Sequence, residues 1–203
     1  IGSDSMTQLP DLTSNVNIFD RSVTFASTPS LSQNDVFIIY NPTDYSWSGF
    51  RAEYRAGEYC RAASISGSTV NLQSSLADDY TAASVNVYKL TTPTTCKIQG
   101  FTLKGLPDAS NQIYGMYLNG AIDSSIEDIK VFGPSYHCLA LSSCFNVQVR
   151  NTTLMEDGVS SFGSDYGLTI GNSQNVNVVG GYFSAARHSV AIGGRGDVGK
   201  VIN

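Results

Sequence analysis

The feature that most constrains the fold is a nine-residue pattern that recurs four times in the second half of the chain. The copies begin at small residues 23, 29 and 22 positions apart, namely Gly115, Cys138, Gly167 and Ser189. The second position of each copy is apolar: Met116, Leu139, Leu168 and Val190. The fourth is apolar too: Leu118, Leu141, Ile170 and Ile192. Because residues two apart share a face of a strand, both columns are predicted to point into a core.

Each copy ends on an Asp or Asn: Asp123, Asn146, Asn175 and Asp197. Both residue types tolerate the left-handed conformation and bond to nearby backbone, so they suit a sharp bend between two strands. Stacked in register, they can also hydrogen-bond from one coil to the next. A second strand is predicted after each bend, because apolar residues recur in two further columns: Ile98, Ile126, Val149 and Val178, and Leu103, Val131, Leu154 and Phe183.

A period of 22 to 29 residues with two or three short strands per repeat indicates a solenoid. Leucine-rich repeats have a similar length, but they need a helical segment whose periodicity is absent here. We therefore predict an all-β chain whose residues 93–203 form a right-handed parallel β-helix. The pattern weakens at Lys200 and the chain stops within a coil, so the C-terminal end of the β-helix is expected to be truncated.

Residues 1–92 lack the repeat. A buried strand is predicted at 35–40, a hairpin at 66–68, and another alternating strand at 84–90. These signals predict a small antiparallel β unit that leads into the β-helix and caps its first coil, since the open edge of a parallel stack is prone to aggregation.

Charge and cysteine usage exclude several functions. The net charge of −5 argues against a nucleic-acid partner, and no apolar run approaches the roughly 18 residues that span a bilayer. No signal peptide is visible at the N-terminus. Four cysteines without a CxxC pair, and only two histidines, make a zinc site improbable, so we expect buried free thiols, as in a reducing cytoplasm. Neither a metal nor a cofactor is expected.

Two stretches resemble known proteins. The run from Gly57 to Leu72, followed by Val85–Lys89, resembles the strand-rich segment that precedes the β-helix in phage tail proteins. Arg187–Gly194 resembles a coil of the pectate-lyase-like group. The resemblance implies a phage tailspike or tail-fibre protein: a homotrimer on the virion beside other tail proteins, assembled in the host cytoplasm and acting at the bacterial surface. It also implies binding, and in many members cleavage, of capsular polysaccharide or O-antigen.

Binding residues are predicted from the repeat alignment. The position before the small column holds Tyr114, His137, Tyr166 and His188, a row of flat rings that suits sugar faces or, alternatively, packs beneath a loop. One position earlier lie Ile113, Tyr136, Asp165 and Arg187. An ion pair between Asp165 and Arg187 would orient a substrate carboxylate, or would be an ordinary surface pair.

Catalytic residues are sought among carboxyl groups, because glycosidic hydrolysis usually needs two of them. The coil that begins at Cys138 carries an insertion running from Glu156 to Asp165, and insertions in solenoids often form the binding face. We predict Glu156 or Asp157 with Asp165 as the acid and base. A second acidic cluster is assigned to a bend and to a solvated outer face: Asp123, Glu127 and Asp128.

Three other functions stay open. A lyase would use His188 or Tyr166 as base, with Arg187 neutralising a uronic acid. A non-catalytic adhesin or structural tail component would use the same β-helix for binding or assembly alone. A cellular pectate-lyase-like enzyme is less favoured, because its secreted precursor should carry a signal sequence.

Overall fold

Sixteen strands and a single 3₁₀ turn make up the computed structural model over the residues it describes, which are 1–43, 55–91, 93–105, 110–156 and 165–193. The chain divides into two units, Asp4–Thr92, and Pro93–Gly194 together with Ile1–Ser3. In the described ranges no helix is long and apolar enough to cross a membrane.

The first unit is an antiparallel sheet. Its strands are β1 (Met6–Gln8), β2 (Ser22–Thr24), β3 (Val36–Tyr40), β4 (Gly57–Ser66), β5 (Thr69–Leu72) and β6 (Asn86–Leu90), with the 3₁₀ turn at Ala82–Ser84. Their order is β1-β6-β3-β4-β5-β2, and every neighbouring pair is antiparallel. Gly67, at a φ of 60°, makes the tight turn between β4 and β5 where the hairpin is predicted. Phe25, Phe37 and Ile39 are among the buried residues of its core.

The second unit is a stack of parallel coils. Its strands are β7 (Lys97–Gln99), β8 (Thr102–Lys104), β9 (Tyr114–Asn119), β10 (Ile122–Glu127), β11 (Lys130–Phe132), β12 (His137–Ser142), β13 (Phe145–Met155), β14 (Tyr166–Gly171), β15 (Gln174–Ser184) and β16 (His188–Ile192). One sheet has the order β16-β14-β12-β9, and the other the order β7-β10-β13-β11-β8 with β15 on β13. The predicted fold class, a parallel β-helix preceded by an antiparallel β unit, is confirmed.

The register between coils is the one that the sequence repeat predicts. His137 pairs with Tyr114 on one side and Tyr166 on the other, and Tyr166 pairs with His188. The inward columns fill one continuous core, which includes Leu118, Leu139, Leu141, Leu168 and Ile170. Val190 and Ile192, on the last described coil, are exposed.

The predicted bends are also present. Asp123, Asn146 and Asn175 have left-handed φ values of 47°, 58° and 56°, and the Asn146 amide donates a 2.6 Å hydrogen bond to Asp123 Oδ1. Asp197 lies outside the described residues. Because the amide joins two successive coils, the column both shapes the bend and ties the stack together.

A second bend column was not predicted. It consists of Gly100, Asp128, Asn151 and Gly180, with φ values of 74°, 51°, 50° and 67°. Asp128 is exposed, as expected, but it also turns the chain between two strands. The sequence signal was present as another column of Gly, Asn and Asp spaced like the first.

None of the four cysteines forms a disulfide bond within the described residues. Cys60, Cys138 and Cys144 are buried, and Cys96 is half-buried. Burial raises the pKa of Cys60 well above its usual value, with a further contribution from the Glu58 carboxylate, and burial raises the pKa of Cys144 to about 11. Both thiols are therefore protonated at neutral pH and behave as small apolar side chains.

The small column yields a stability prediction. A Cβ added to Gly167 would lie 2.6 Å from the backbone oxygen of Ser189 on the next coil, so Gly167→Ala must push two coils apart. We expect Gly167→Ala to lower the free energy of unfolding, measured by urea titration, by about 1–3 kcal/mol, as other overpacking substitutions do. Ser189→Ala, in the same column, should change it by less than about 0.5 kcal/mol. Equal effects of the two substitutions would contradict the packing argument.

Candidate functional site

Four stacked rings run along the outside of the four-stranded sheet. We call Tyr114, His137, Tyr166 and His188 the aromatic ladder; they are the corresponding residues of β9, β12, β14 and β16. From Tyr114 to His188, the centroids of successive rings lie 4.9, 4.9 and 5.5 Å apart, and the planes of these ring pairs meet at angles of 16°, 35° and 25°. These steps follow the spacing between strands, about 4.8 Å. The strand register therefore produces the ladder predicted from the repeat.

The ladder has both exposed and buried members. Tyr114 is 41% exposed and His188 is exposed, whereas Tyr166 is half-buried and His137 is buried. Tyr136 stands edge-on to the stack, with its ring centroid 5.0 Å from that of Tyr114 and 3.9 Å from that of His137. Edge-to-face packing of this kind fixes the rings in place and leaves part of the stack open to solvent.

His137 is held in its neutral form. Its Nδ1 lies 2.9 Å from the Thr169 hydroxyl on the next coil, and burial lowers its pKa to about 4. Its Nε2 is buried and has no hydrogen-bond partner among the described residues. A neutral imidazole can stack between two phenol rings without placing a charge in the ladder.

Tyr117 was missed by the sequence reasoning. Its ring centroid lies 5.2 Å from that of Tyr114, at 33°, and the residue is 41% exposed. The signal was available, because Tyr117 stands between Met116 and Leu118, which both face the core, and alternation turns it outward. Burial, followed by the neighbouring phenols of Tyr136 and Tyr117, raises the pKa of Tyr114, so its hydroxyl stays protonated at neutral pH.

Two buried carboxyl groups border the insertion. Glu156 is 8% exposed and Asp165 is 5% exposed. Glu156 Oε2 accepts a hydrogen bond from the backbone N–H of Ala186 at 3.5 Å, and the backbone oxygen of Asp165 accepts from the N–H groups of Arg187 and His188 at 3.2 and 3.3 Å. Both residues therefore meet the same short stretch of the next coil. Asp157, the third predicted catalytic residue, lies outside the described residues.

Asp165 has the features of a reactive carboxyl group. Its Oδ1 is buried and finds no hydrogen-bond partner in the described part of the chain. Because an unpaired buried oxygen is costly, such an atom in a native fold calls for an explanation, and a ligand that supplies the missing donor is one. Asp165 directly precedes Tyr166 in the sequence.

No ion pair between Asp165 and Arg187 appears among the described salt bridges. The two residues are neighbours through the backbone, as the register predicted. The Arg187 guanidinium lies 5.5 Å from the centroid of the Tyr166 ring, a distance suited to a cation–π contact. Arg187 thereby extends the ladder surface.

The remaining acidic groups with described contacts have structural roles. Both oxygens of the buried Glu58 accept from the backbone N–H of Ala77, and Glu127 lies 3.8 Å from Lys97. Asp123 belongs to the bend column described above. Across the described ranges, no group of three or more His, Cys, Asp or Glu side chains is placed to hold a metal ion.

The fold and the site together define a class of protein. The class is a parallel β-helix that carries a column of stacked aromatic rings, exposed at Tyr114 and His188 and buried at His137. The parallel β-helix supplies the rings at regular spacing.

Comparisons with known families agree with this class. Residues 3–90 match the family model "Tailspike protein-like, Ig-like domain", and residues 132–203 match "Gp49, pectin lyase-like". No curated protein sequence is significantly similar to the chain.

Solved structures of phage tailspikes are similar over nearly the whole chain. The tailspike gp49 of Pseudomonas phage LKA1 is 32% identical with a TM-score of 0.79 over 97% of this chain, and the tailspike gp61 of Pseudomonas phage phi297 is 30% identical with a TM-score of 0.82 over 95%. The gp54 tailspike of Acinetobacter baumannii bacteriophage AP22, crystallised with capsular saccharide, is 26% identical with a TM-score of 0.70 over 97%. The chain spans 32% of the length of each. The predicted resemblance to phage tailspikes of the pectate-lyase-like β-helix group is confirmed.

The buried imidazole predicts how stability depends on pH. Between pH 6.5 and about 4 the unfolded chain protonates His137 while the folded chain does not. The contribution of His137 to stability is therefore complete above pH 6.5 and is lost as the pH falls toward 4. His137→Phe, which keeps a flat ring without a titrating group, should flatten this dependence in urea titrations between pH 7 and 4.

His188→Gln is the matched control for this experiment, because His188 is the exposed histidine of the same ladder. It should keep the slope of the unsubstituted protein. A His137→Phe variant with an unchanged slope would contradict a neutral buried imidazole.

Proposed function

We propose that this chain is part of a phage tailspike that binds a bacterial surface polysaccharide, either capsule or O-antigen, along the aromatic ladder and cleaves its glycosidic bonds. The observation that carries the proposal is the stack of four rings, spaced 4.9 to 5.5 Å apart on the outer face of the sheet. Sugar rings present C–H groups on their faces, which pack on aromatic rings, and hydroxyls at their edges, which need polar partners. The ladder offers the rings, and Asp165 and Glu156 offer the polar groups.

The similarity to tailspikes supports the choice of ligand. The AP22 relative is described in complex with capsular saccharide, and its similarity extends over 97% of this chain. We infer the same class of ligand here. The proposal includes a homotrimer on the virion, joined to other tail proteins and assembled in the host cytoplasm, because the tailspikes that this chain resembles are parts of phage particles.

Cleavage is assigned to a pair of carboxyl groups, Glu156 or Asp157 with Asp165. In hydrolysis, one carboxylic acid protonates the glycosidic oxygen as its bond to the anomeric carbon breaks. The other carboxylate takes a proton from the water that adds to that carbon, or, in a retaining enzyme, attacks the carbon itself to form a glycosyl ester that water then hydrolyses. The products are a new reducing end and a free hydroxyl. The support for Asp165 is its Oδ1, which is buried and finds no hydrogen-bond partner among the described residues.

Binding without cleavage is the second candidate function. It is favoured by the ladder itself, which is complete in the described residues and needs no carboxyl group to hold a sugar. A non-catalytic receptor-binding or structural tail protein would use this face alone.

Asp165→Asn tests the catalytic assignment. We expect the substitution to lower the release of reducing ends by at least about 100-fold, as loss of a general acid or base does. The assay uses the purified full-length protein with capsular polysaccharides and O-antigens from a panel of Pseudomonas and Acinetobacter baumannii strains. Because Asn is close to Asp in shape, binding of the same glycan, measured by calorimetry, should persist.

Asp123→Asn is the matched control, since Asn already occupies that bend column at Asn146 and Asn175. It should release sugar at the unsubstituted rate. Release that survives Asp165→Asn would contradict a catalytic role for Asp165. A glycan that is bound but never cleaved would favour the second candidate function, and no binding to any glycan would count against the proposal as a whole.

A further inference from the structure

We propose that Tyr117 and Tyr114 form a distal sugar subsite, so that the ladder holds a segment of several sugars and takes an uncharged ring face at its far end. The inference rests on the proposed function and extends it to a residue outside the predicted site. The subsite would hold the sugar of the bound segment that lies farthest from the carboxyl groups of Glu156 and Asp165.

The two phenol rings form a ready-made platform. Their centroids lie 5.2 Å apart at 33°, and each residue is 41% exposed. Tyr114 is held from its other sides by the edge of Tyr136 and the face of His137. Because the rings are fixed before a ligand arrives, little side-chain entropy is lost on binding.

The platform is separated from the carboxyl groups by the length of the ladder. Tyr114 and Tyr117 are on β9, the edge strand of the four-stranded sheet, whereas Asp165 immediately precedes β14, two strands away. Two ring-to-ring steps of 4.9 Å each separate Tyr114 from Tyr166. A single sugar cannot contact both ends, so a ligand that uses both must be an oligosaccharide.

The N-terminal ammonium of Ile1 donates a 2.8 Å hydrogen bond to the backbone oxygen of Tyr117, whereas the ladder strands themselves carry no acidic or strongly basic side chain. The strands β9, β12, β14 and β16 contain no Asp, Glu, Lys or Arg. Tyr117 pairs with Ala140, which pairs with Thr169, which pairs with Ala191. The charged side chains Asp165 and Arg187 both precede their strands at the other end of the ladder. The two rings of the distal subsite suit the apolar face of a sugar ring.

Fragments of defined length test the subsite. A polysaccharide that the protein binds is cut by partial acid hydrolysis into single repeat units and longer oligomers, and affinities are measured by calorimetry in the Asp165→Asn background, where the oligomers stay intact. Tyr117→Ala should weaken binding of long oligomers by about 5- to 10-fold, the range expected for one aromatic contact. Binding of the shortest fragments should be unchanged.

Three further variants test whether the flat ring of Tyr117 is the feature that the oligomers contact. Tyr117→Phe keeps the ring and should bind like the parent, whereas Tyr117→Leu keeps apolar bulk without a flat face and should bind like Tyr117→Ala. Tyr182→Ala is the matched control, because Tyr182 is an exposed tyrosine, 57% accessible, on the other sheet. Tyr182→Ala should leave the affinity for oligomers of every length unchanged.

The outcomes separate this inference from the proposed function. If Tyr117→Ala and Tyr117→Leu bind oligomers of every length as tightly as the parent, the distal subsite is wrong and the proposed function stands. If the parent protein binds no glycan at any length, both are overturned.

Discussion

Backbone pairing between successive coils is the constraint on which the rest of this β-helix depends. Each strand of one coil bonds in register to the same strand of the next, so a residue type repeated in sequence becomes a column in space. The inward columns form the core, the Asx columns form the bends, and the ring column forms the ladder. A one-residue slip would move apolar residues to the surface and rings into the core, and the core therefore enforces the geometry of the binding face.

This dependence explains why so much of the fold was predictable. The columns headed by Met116 and Leu118 fix which residues face inward, and the Asx column at Asp123 fixes where the chain turns. The second turn, at Asp128 and Asn151, was missed because two of its four members are glycines, which also fill many other roles. In the first unit the strands from residue 35 onward and the hairpin were predicted, but β1, β2 and the strand order that places β6 between β1 and β3 were not.

The site was predictable only where it follows the repeat. The ladder of Tyr114, His137, Tyr166 and His188 comes directly from the alignment, and its stacking is observed. The contact of Arg187 with the Tyr166 ring was not predictable, because the repeat alignment places backbones and does not fix the direction of a long side chain. The burial of His137, and the fall in its pKa, depend on Tyr136 and on the next coil, and one strand alone does not reveal them.

The position of the ladder outside the core has a consequence for how such a surface can diversify. In each coil two apolar positions maintain the stack, and the exposed ring positions, Tyr114 and His188, can change with less repacking than the buried His137. One substitution at a ladder position thus alters a single point of contact and leaves its neighbours at the same spacing. A surface of this kind can therefore be altered at one exposed ladder position at a time while the backbone of the coils stays unchanged.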